Sequence, residues 1–355
     1  MESKLKNIVE PLVIIIIFAI GLLVNRHHQP NQLRDQLLLT SLRTSDAEIP
    51  FLKYNTHESS RMFGIPFPNN HPFRRNFLSV LLAKFPFALE IWYWVLTYWP
   101  YQLMRAFSAL YINANPQRQA IVTALARLHA SQIISLEEKL GIAIELRFQR
   151  YILRCNPLIM TILSDIYLAH FSVGIAFLAY GSTYFPRPRY EAVRRAIALN
   201  NFFAFPLLSL WRCAPPRLMP HSLGFLDVLH APPGSSMSAT SDWANNRFQL
   251  TLAAMPSLHF GTSLLFALSI AIWGRHAWLR VLAPMYPVVV GLSVISTANH
   301  WVLDCAAGVC VAAAAIFCNR IMLRLRPLEE WVFWLCRTER PRDQLVDDDH
   351  DFRNA

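Results

Sequence analysis

Two histidines, a carboxylate, a serine and an arginine stand in three short stretches: Cys213-Ala-Pro-Pro-Arg217, Met255-Pro-Ser-Leu-His259 and Asn299-His300-Trp-Val-Leu-Asp304. His300 and Asp304 are four residues apart, so a helix starting near Asn299 presents both on one face, within hydrogen-bond reach. A carboxylate there fixes the imidazole tautomer and raises its basicity, as a histidine base or nucleophile needs. His259 follows Pro256 and Ser257, residues suited to the first turn of a helix. A helix start offers free backbone N–H groups and the positive end of the dipole to an anion such as phosphate. Arg217, stiffened by Pro215 and Pro216, adds a planar fork of donors matched to phosphate oxygens. Together these groups are what phosphoryl transfer without a metal requires.

The elements that must position them are membrane helices. Of 355 residues, 54% are hydrophobic and only 16% charged, against about a quarter charged in a soluble domain. Apolar runs of near-membrane length recur along the chain, which excludes intrinsic disorder, a collagen-like repeat and a small disulfide scaffold and predicts a multi-pass membrane protein. The 33 Lys and Arg against 23 Asp and Glu give a net charge of +10. These basic residues flank the apolar runs, a placement that fits the positive-inside bias and anionic lipid headgroups. No nucleic-acid-binding motif accompanies them, so no nucleic-acid partner is expected. Cys155, Cys213, Cys305, Cys310, Cys318 and Cys336 show neither a CxxC pair nor metal-ligand spacing, and read as packing residues.

The predicted fold class is all-α: a polytopic bundle of six core transmembrane helices with an N-terminal span and a surface amphipathic helix. The N-terminal run, Ile8 to Val24, reads as an uncleaved span. The core spans are expected near Phe85–Ile112, Pro157–Tyr180, Ala196–Trp211, Pro256–Trp273, Trp278–Thr297 and Trp301–Arg320. They must be helices, because strand edges in lipid leave backbone groups unsatisfied. Between the first two core spans, Ile121, Leu125, Leu128, Leu136, Leu140, Ile144, Phe148 and Ile152 recur at helical spacing behind an Asn115–Pro116 start. This segment reads as an amphipathic helix, lying on the membrane or docked on the bundle. The expected divisions are 1–76, an N-terminal span with a cytosolic loop; 77–325, the membrane domain; and 326–355, a cytosolic tail. Arg187, Arg189, Arg194 and Arg195, then Arg275 and Arg280, then Arg320, Arg324 and Arg326 mark one side as cytosolic. The three chemical stretches fall on the other side.

Several residues have plainer readings. Asp227 either faces the site or is solvated. Asp165, Tyr167 and His170 line a cavity or serve only interhelical hydrogen bonding. Asp347 to Asp349 with His350 read as a solvated tail rather than a metal cluster, and His27 and His28 have no partner at ligand spacing.

From about Ile112 to Arg320 the chain resembles the type-2 phosphatidic acid phosphatase superfamily, and within it the branch of fungal inositol-phosphorylceramide synthases. Pro256, Ser257, Leu258 and His259 match a Pro-Ser-x-His motif, and His300 with Asp304 match His-x3-Asp. The stretch from His129 through Glu137, Leu140-Gly141 and Glu145 is similar to that branch's membrane-surface segment. The resemblance implies that His300 attacks phosphorus, Asp304 orients it, His259 protonates the leaving oxygen and Ser257 helps hold the phosphate. It implies a lipid phosphotransferase that needs no metal or organic cofactor. Its partners are membrane lipid substrates and the bilayer, in the endoplasmic reticulum or Golgi with a lumen-facing site. The alternatives are a lipid or isoprenoid phosphate phosphatase and a non-catalytic transporter or partner-binding relative. Two departures stand out. The Lys and Arg-Pro of the superfamily's first motif are missing from their place, and Val294 stands where the third motif carries Arg. Arg217 is the expected substitute, with Arg212 and Arg247 as further candidates.

Overall fold

A computed structural model describes residues 2–26, 68–229 and 252–341. Among these the secondary structure is helical, with no strand. The α-helices are α1 (Glu2–Val24), α2 (Phe77–Lys84), α3 (Phe87–Asn113), α4 (Pro116–Leu140), α5 (Glu145–Cys155), α6 (Pro157–Tyr184), α7 (Arg187–Leu210), α8 (Leu258–Trp273), α9 (Ala277–Leu282), α10 (Met285–Ser296), α11 (Val302–Cys318) and α12 (Arg326–Leu335). Most of the expected 25–76 loop, His27, His28, Arg247 and the acidic end of the chain lie outside the described residues.

Among the described residues, three helices are long and apolar enough to cross a membrane: Pro157–Tyr184, Ala277–Ser296 and Val302–Leu335. The second joins α9 and α10, and the third runs through α11 to α12. A fourth candidate is the pair α2 and α3, which bends by 105° at Phe85 and Pro86, the start of the span expected at Phe85–Ile112. Pro11–Val24 and Leu258–Trp273 are shorter apolar helices. The run expected as a span at Ala196–Trp211 belongs to the longer helix α7, whose first turns carry Arg187, Arg189, Arg194 and Arg195.

Two compact units make up the fold. One comprises Met1–Phe18 and Trp94–Asn319, the other Ala19–Tyr93 and Arg320–Ala355. Within the second, the Asn70 amide donates to the Glu330 carboxylate at 2.8 Å and the Arg340 guanidinium donates to the Tyr93 hydroxyl at 2.8 Å. Arg340 also pairs with Glu329. The stretch after Arg326, expected as a tail, therefore begins with a packed helix.

The first unit carries the three chemical stretches. Here α4 starts as its sequence predicts: the Asn115 side chain accepts from the Gln117 and Arg118 amides at 2.9 and 3.3 Å, and Pro116 opens the helix. Gly141, at φ +71°, closes it in the left-handed conformation that a helix C-terminus favours. The amphipathic segment is consequently two helices, α4 and α5, not one. Its small residues Ala126 and Ala130, with Ile133 and Glu137, form the buried face. Ile121, Leu125, Leu128, Leu136 and Leu140 stay exposed. The segment thus docks on the unit through one face, one of the two arrangements expected of it, and turns its larger apolar side chains outward.

Helices α8 and α11 meet backbone to backbone. A Cβ on Gly308 would lie 2.5 Å from the Ser257 carbonyl oxygen, and one on Gly261 would lie 2.7 Å from the Gly308 carbonyl oxygen. Only glycine permits that approach. It brings the start of α8, with His259, against the start of α11.

Candidate active site

The three stretches converge through backbone hydrogen bonds. The Ala254 amide donates to the Cys213 carbonyl at 3.0 Å, the Ser257 amide to the Asp304 carbonyl at 2.9 Å, and the Arg217 amide to the Ala298 carbonyl at 3.0 Å. Trp301, buried in the apolar cluster of Ala126, Ala130, Ile133, Cys213, Ala214 and Ala254, donates its indole N–H to the Ala214 carbonyl at 3.0 Å. Each chemical stretch is fixed by at least one other, so their side chains share one place although far apart in sequence.

His259 and His300 face one another with ring centroids 6.0 Å apart, inclined at 55°. Nδ1 of His300 lies 2.7 Å from the Ala254 carbonyl oxygen. A carbonyl only accepts, so Nδ1 carries a hydrogen, and in the neutral ring Nε2 is then the nitrogen with the lone pair. Asp304, fully buried, stands 3.6 Å from the same Nδ1, beyond hydrogen-bond length. Its Oδ2 instead accepts the Trp301 amide at 2.8 Å, reaching back over the first turn of α11. The orienting bond expected from Asp304 is therefore supplied by a backbone carbonyl. When ionised, Asp304 places a negative charge beside the ring, which favours any positive charge the imidazole acquires.

His259 has an aromatic floor. Tyr167 stacks on it at 4.3 Å and 19°, and His170 lies against it at 5.0 Å. Nδ1 of His170 bonds the Tyr286 hydroxyl at 2.8 Å. Tyr167 and His170 thus line the site, whereas Asp165 is exposed. Ser257 is buried and caps α8, its hydroxyl oxygen accepting the Phe260 amide at 3.4 Å.

Arg217 donates from Nε to the Asn299 side-chain oxygen at 2.9 Å and from Nη1 to Asp227 Oδ2 at 3.1 Å. Asn299 precedes His300, so the guanidinium is anchored beside the histidine turn, with Asp227 as its partner. Arg212 is turned to α3, where its Nη2 donates to the Ser108 hydroxyl at 2.6 Å; its own carbonyl is 2.7 Å from Nδ1 of His129. Val294 is buried, and its carbonyl accepts the Asn299 amide at 3.1 Å. It completes the turn without providing charge.

Arg105 and Gln149 escaped the sequence reading, and Glu137 and Glu145 entered it only through the resemblance of the membrane-surface segment. Arg105 on α3 lies within electrostatic range of both Tyr167 and His259. Its signal was visible, since an arginine inside an apolar run marks a functional site by default. Glu137, Glu145 and Gln149 lie behind the histidine turn, and nothing in their spacing pointed to α11. Among the described residues, no group of three or more His, Cys, Asp or Glu side chains is arranged to hold a metal ion.

This arrangement holds parts that covalent transfer can use: an imidazole whose Nδ1 is fixed by a backbone carbonyl, a second imidazole with its ring centre 6.0 Å away, and an arginine anchored beside the histidine turn. No curated protein and no solved structure matches the chain. Residues 131–318, however, match the PAP2 superfamily. Apolar helices and such a domain suggest a membrane-bound phosphatase or phosphotransferase. Because that match covers more than half of the chain and takes in all three stretches, the protein belongs to the PAP2 superfamily.

Proposed function

We propose that the protein is an integral membrane lipid phosphotransferase working through a phosphohistidine on His300. The observation that carries the reading is the Nδ1 contact of His300 with Ala254, which leaves Nε2 as the attacking atom opposite His259. Nε2 forms a bond to phosphorus as the ester oxygen of the donor lipid leaves, and His259 gives that oxygen its proton. In the second step His259 takes the proton of an incoming hydroxyl, whose oxygen displaces His300. Splitting the reaction in two, with acid and base assistance, lowers each barrier. Asp304 steadies the positive charge on the phosphorylated ring, and Arg217 and Ser257 hold the phosphoryl oxygens.

The likeness to inositol-phosphorylceramide synthases favours a phosphoinositol headgroup as the transferred group and a ceramide-like alcohol as acceptor. Six core spans, an N-terminal span and a lumen-facing site in the endoplasmic reticulum or Golgi complete the reading, on the placement of the arginine clusters. The test uses purified protein in liposomes with headgroup-labelled phosphatidylinositol, with and without ceramide. Label should pass to ceramide, and an acid-labile adduct on His300 should be trapped in its absence. His300→Ala should lose turnover and adduct together; turnover persisting in that variant overturns the nucleophile assignment. Inositol phosphate released into water at the same rate with or without ceramide makes water the acceptor and the protein a hydrolase instead.

A further inference from the structure

The first turn of α11, which carries the His300 and Asp304 pair, is held from behind by the amphipathic segment. The Val302 amide donates to Glu145 Oε1 at 2.9 Å and the Leu303 amide to Glu137 Oε1 at 2.8 Å. With Asp304 accepting the Trp301 amide, three carboxyls satisfy three successive backbone N–H groups that a helix start leaves open. Glu137 closes α4 and Glu145 opens α5, so the Gly141 break delivers both to one spot. All three carboxyls are buried.

Three full negative charges there would face only about half a unit of positive helix dipole. Two buried carboxyls that accept successive amides can stay side by side only while one of them holds a proton, and Glu137 Oε2, buried without a hydrogen-bond partner, is the oxygen that can carry it. Burial, reinforced by the neighbouring Glu145, pushes the Glu137 carboxyl up to about 8. The other titratable groups around it are Asp304 on α11, whose charge acts in the same direction, and the thiols of Cys213 in the 211–215 loop and Cys305 on α11. Next to Glu145 on the buried face of α5, Gln149 donates to the carbonyls of Leu226 at 2.9 Å and Ser296 at 3.1 Å. The same helix thereby grips the Arg217–Asp227 loop and the end of α10.

We propose that Glu137 and Glu145 are positioning residues for His300: a buried carboxyl pair, with a proton on Glu137, that clamps the nucleophile's turn onto the membrane-surface segment. The proposal rests on the reading of His300 given above. While the proton is present, both backbone amides keep their acceptors and the turn is rigid. Once it is lost, two carboxylates repel one another in a dry pocket, one acceptor swings away, and the turn loosens.

The experiment uses the full chain in liposomes and reads two signals. In infrared spectra, wild type should show the carbonyl stretch of a buried protonated carboxyl at neutral pH, disappearing as pH passes about 8. Glu137→Gln, which keeps an acceptor for Leu303 and gives Glu145 a donor that does not titrate, should lack the band. In turnover, wild-type kcat should fall about tenfold per pH unit on the alkaline side. Glu137→Ala should lower kcat on the order of a hundredfold with little change in KM. Glu137→Gln should restore kcat relative to Glu137→Ala and remove the alkaline fall. A wild type without the band, or an alkaline fall unchanged in Glu137→Gln, overturns the proposal. The band is read without substrate, so failure of the carboxyl pair shows as its absence, whereas failure of His300 as nucleophile shows as turnover surviving in His300→Ala.

Discussion

Arg217 poses the sharpest question at the scale of single residues. Its guanidinium reaches Asn299 through Nε and Asp227 through Nη1, a forked geometry that a lysine ammonium cannot reproduce. Arg217→Lys should therefore behave more like a loss than a conservative exchange. Steady-state kinetics should show kcat/KM down by roughly one to two orders of magnitude, with kcat carrying most of it if the phosphate is held chiefly in the transition state. A variant within twofold of wild type would remove Arg217 from the site. Legibility also divides at this scale. His259, His300, Asp304 and Arg217 could be found because side-chain chemistry is written in residue type and short spacing. The group that sets the His300 tautomer could not, because it is the backbone carbonyl of Ala254, forty-six positions away and carrying no side-chain signal.

Between elements, the sites depend on glycines and on caps. Gly308→Ala would push a methyl group into the Ser257 carbonyl, where backbone on both sides has no room to give. The expected result is a loss of about 1 to 3 kcal/mol, as for an overpacked core, seen as a lowered thermal midpoint, with turnover falling further because α8 and α11 carry the two histidines. Gly174→Ala is the control: its Cβ would meet nothing nearer than Phe266 at 3.5 Å, so midpoint and turnover should hold. The Glu137 carboxyl adds a pH dependence whose sign follows from linkage. Its ordinary value is 4.5 and burial raises it to about 8. Between these values the folded chain keeps a proton that the unfolded chain has lost, so stability falls as pH rises across that window and levels off above it. Thermal midpoints in detergent should decline from pH 5 to pH 8 in wild type and more weakly in Glu137→Gln. The start of α4 at Asn115 and Pro116 and its end at Gly141 were legible, since caps are local. Which face of α4 packs inward was not. Its largest apolar residues point outward, and an Ala-rich stripe does the docking, because small side chains let the helix approach the unit closely.

For the molecule as a whole, the question is which side of the bilayer the histidines face. Sequence hydropathy marked the apolar runs, and three of the expected core spans answer to Pro157–Tyr184, Ala277–Ser296 and Val302–Leu335. The span expected from Phe85 begins at a 105° bend, and the run near Ala196 is absorbed into a helix that begins with arginines. Charge placement is more robust to such breaks, because it depends only on what flanks them. Cys155 ends α5 just before α6 enters its apolar run at Pro157, on the histidine side, and it is exposed. Ala277, also exposed, follows Arg275 at the opposite end of α8. In sealed, right-side-out microsomes a membrane-impermeant maleimide should label an Ala277→Cys variant and leave Cys155 unmodified until detergent is added, with both positions mapped by mass spectrometry. The reverse pattern would put the site in the cytosol, where its donor and acceptor lipids would have to be drawn from the other leaflet. Equal labelling of both before detergent would mean that α6 and α8 do not separate two compartments, and the multi-span reading itself would fall.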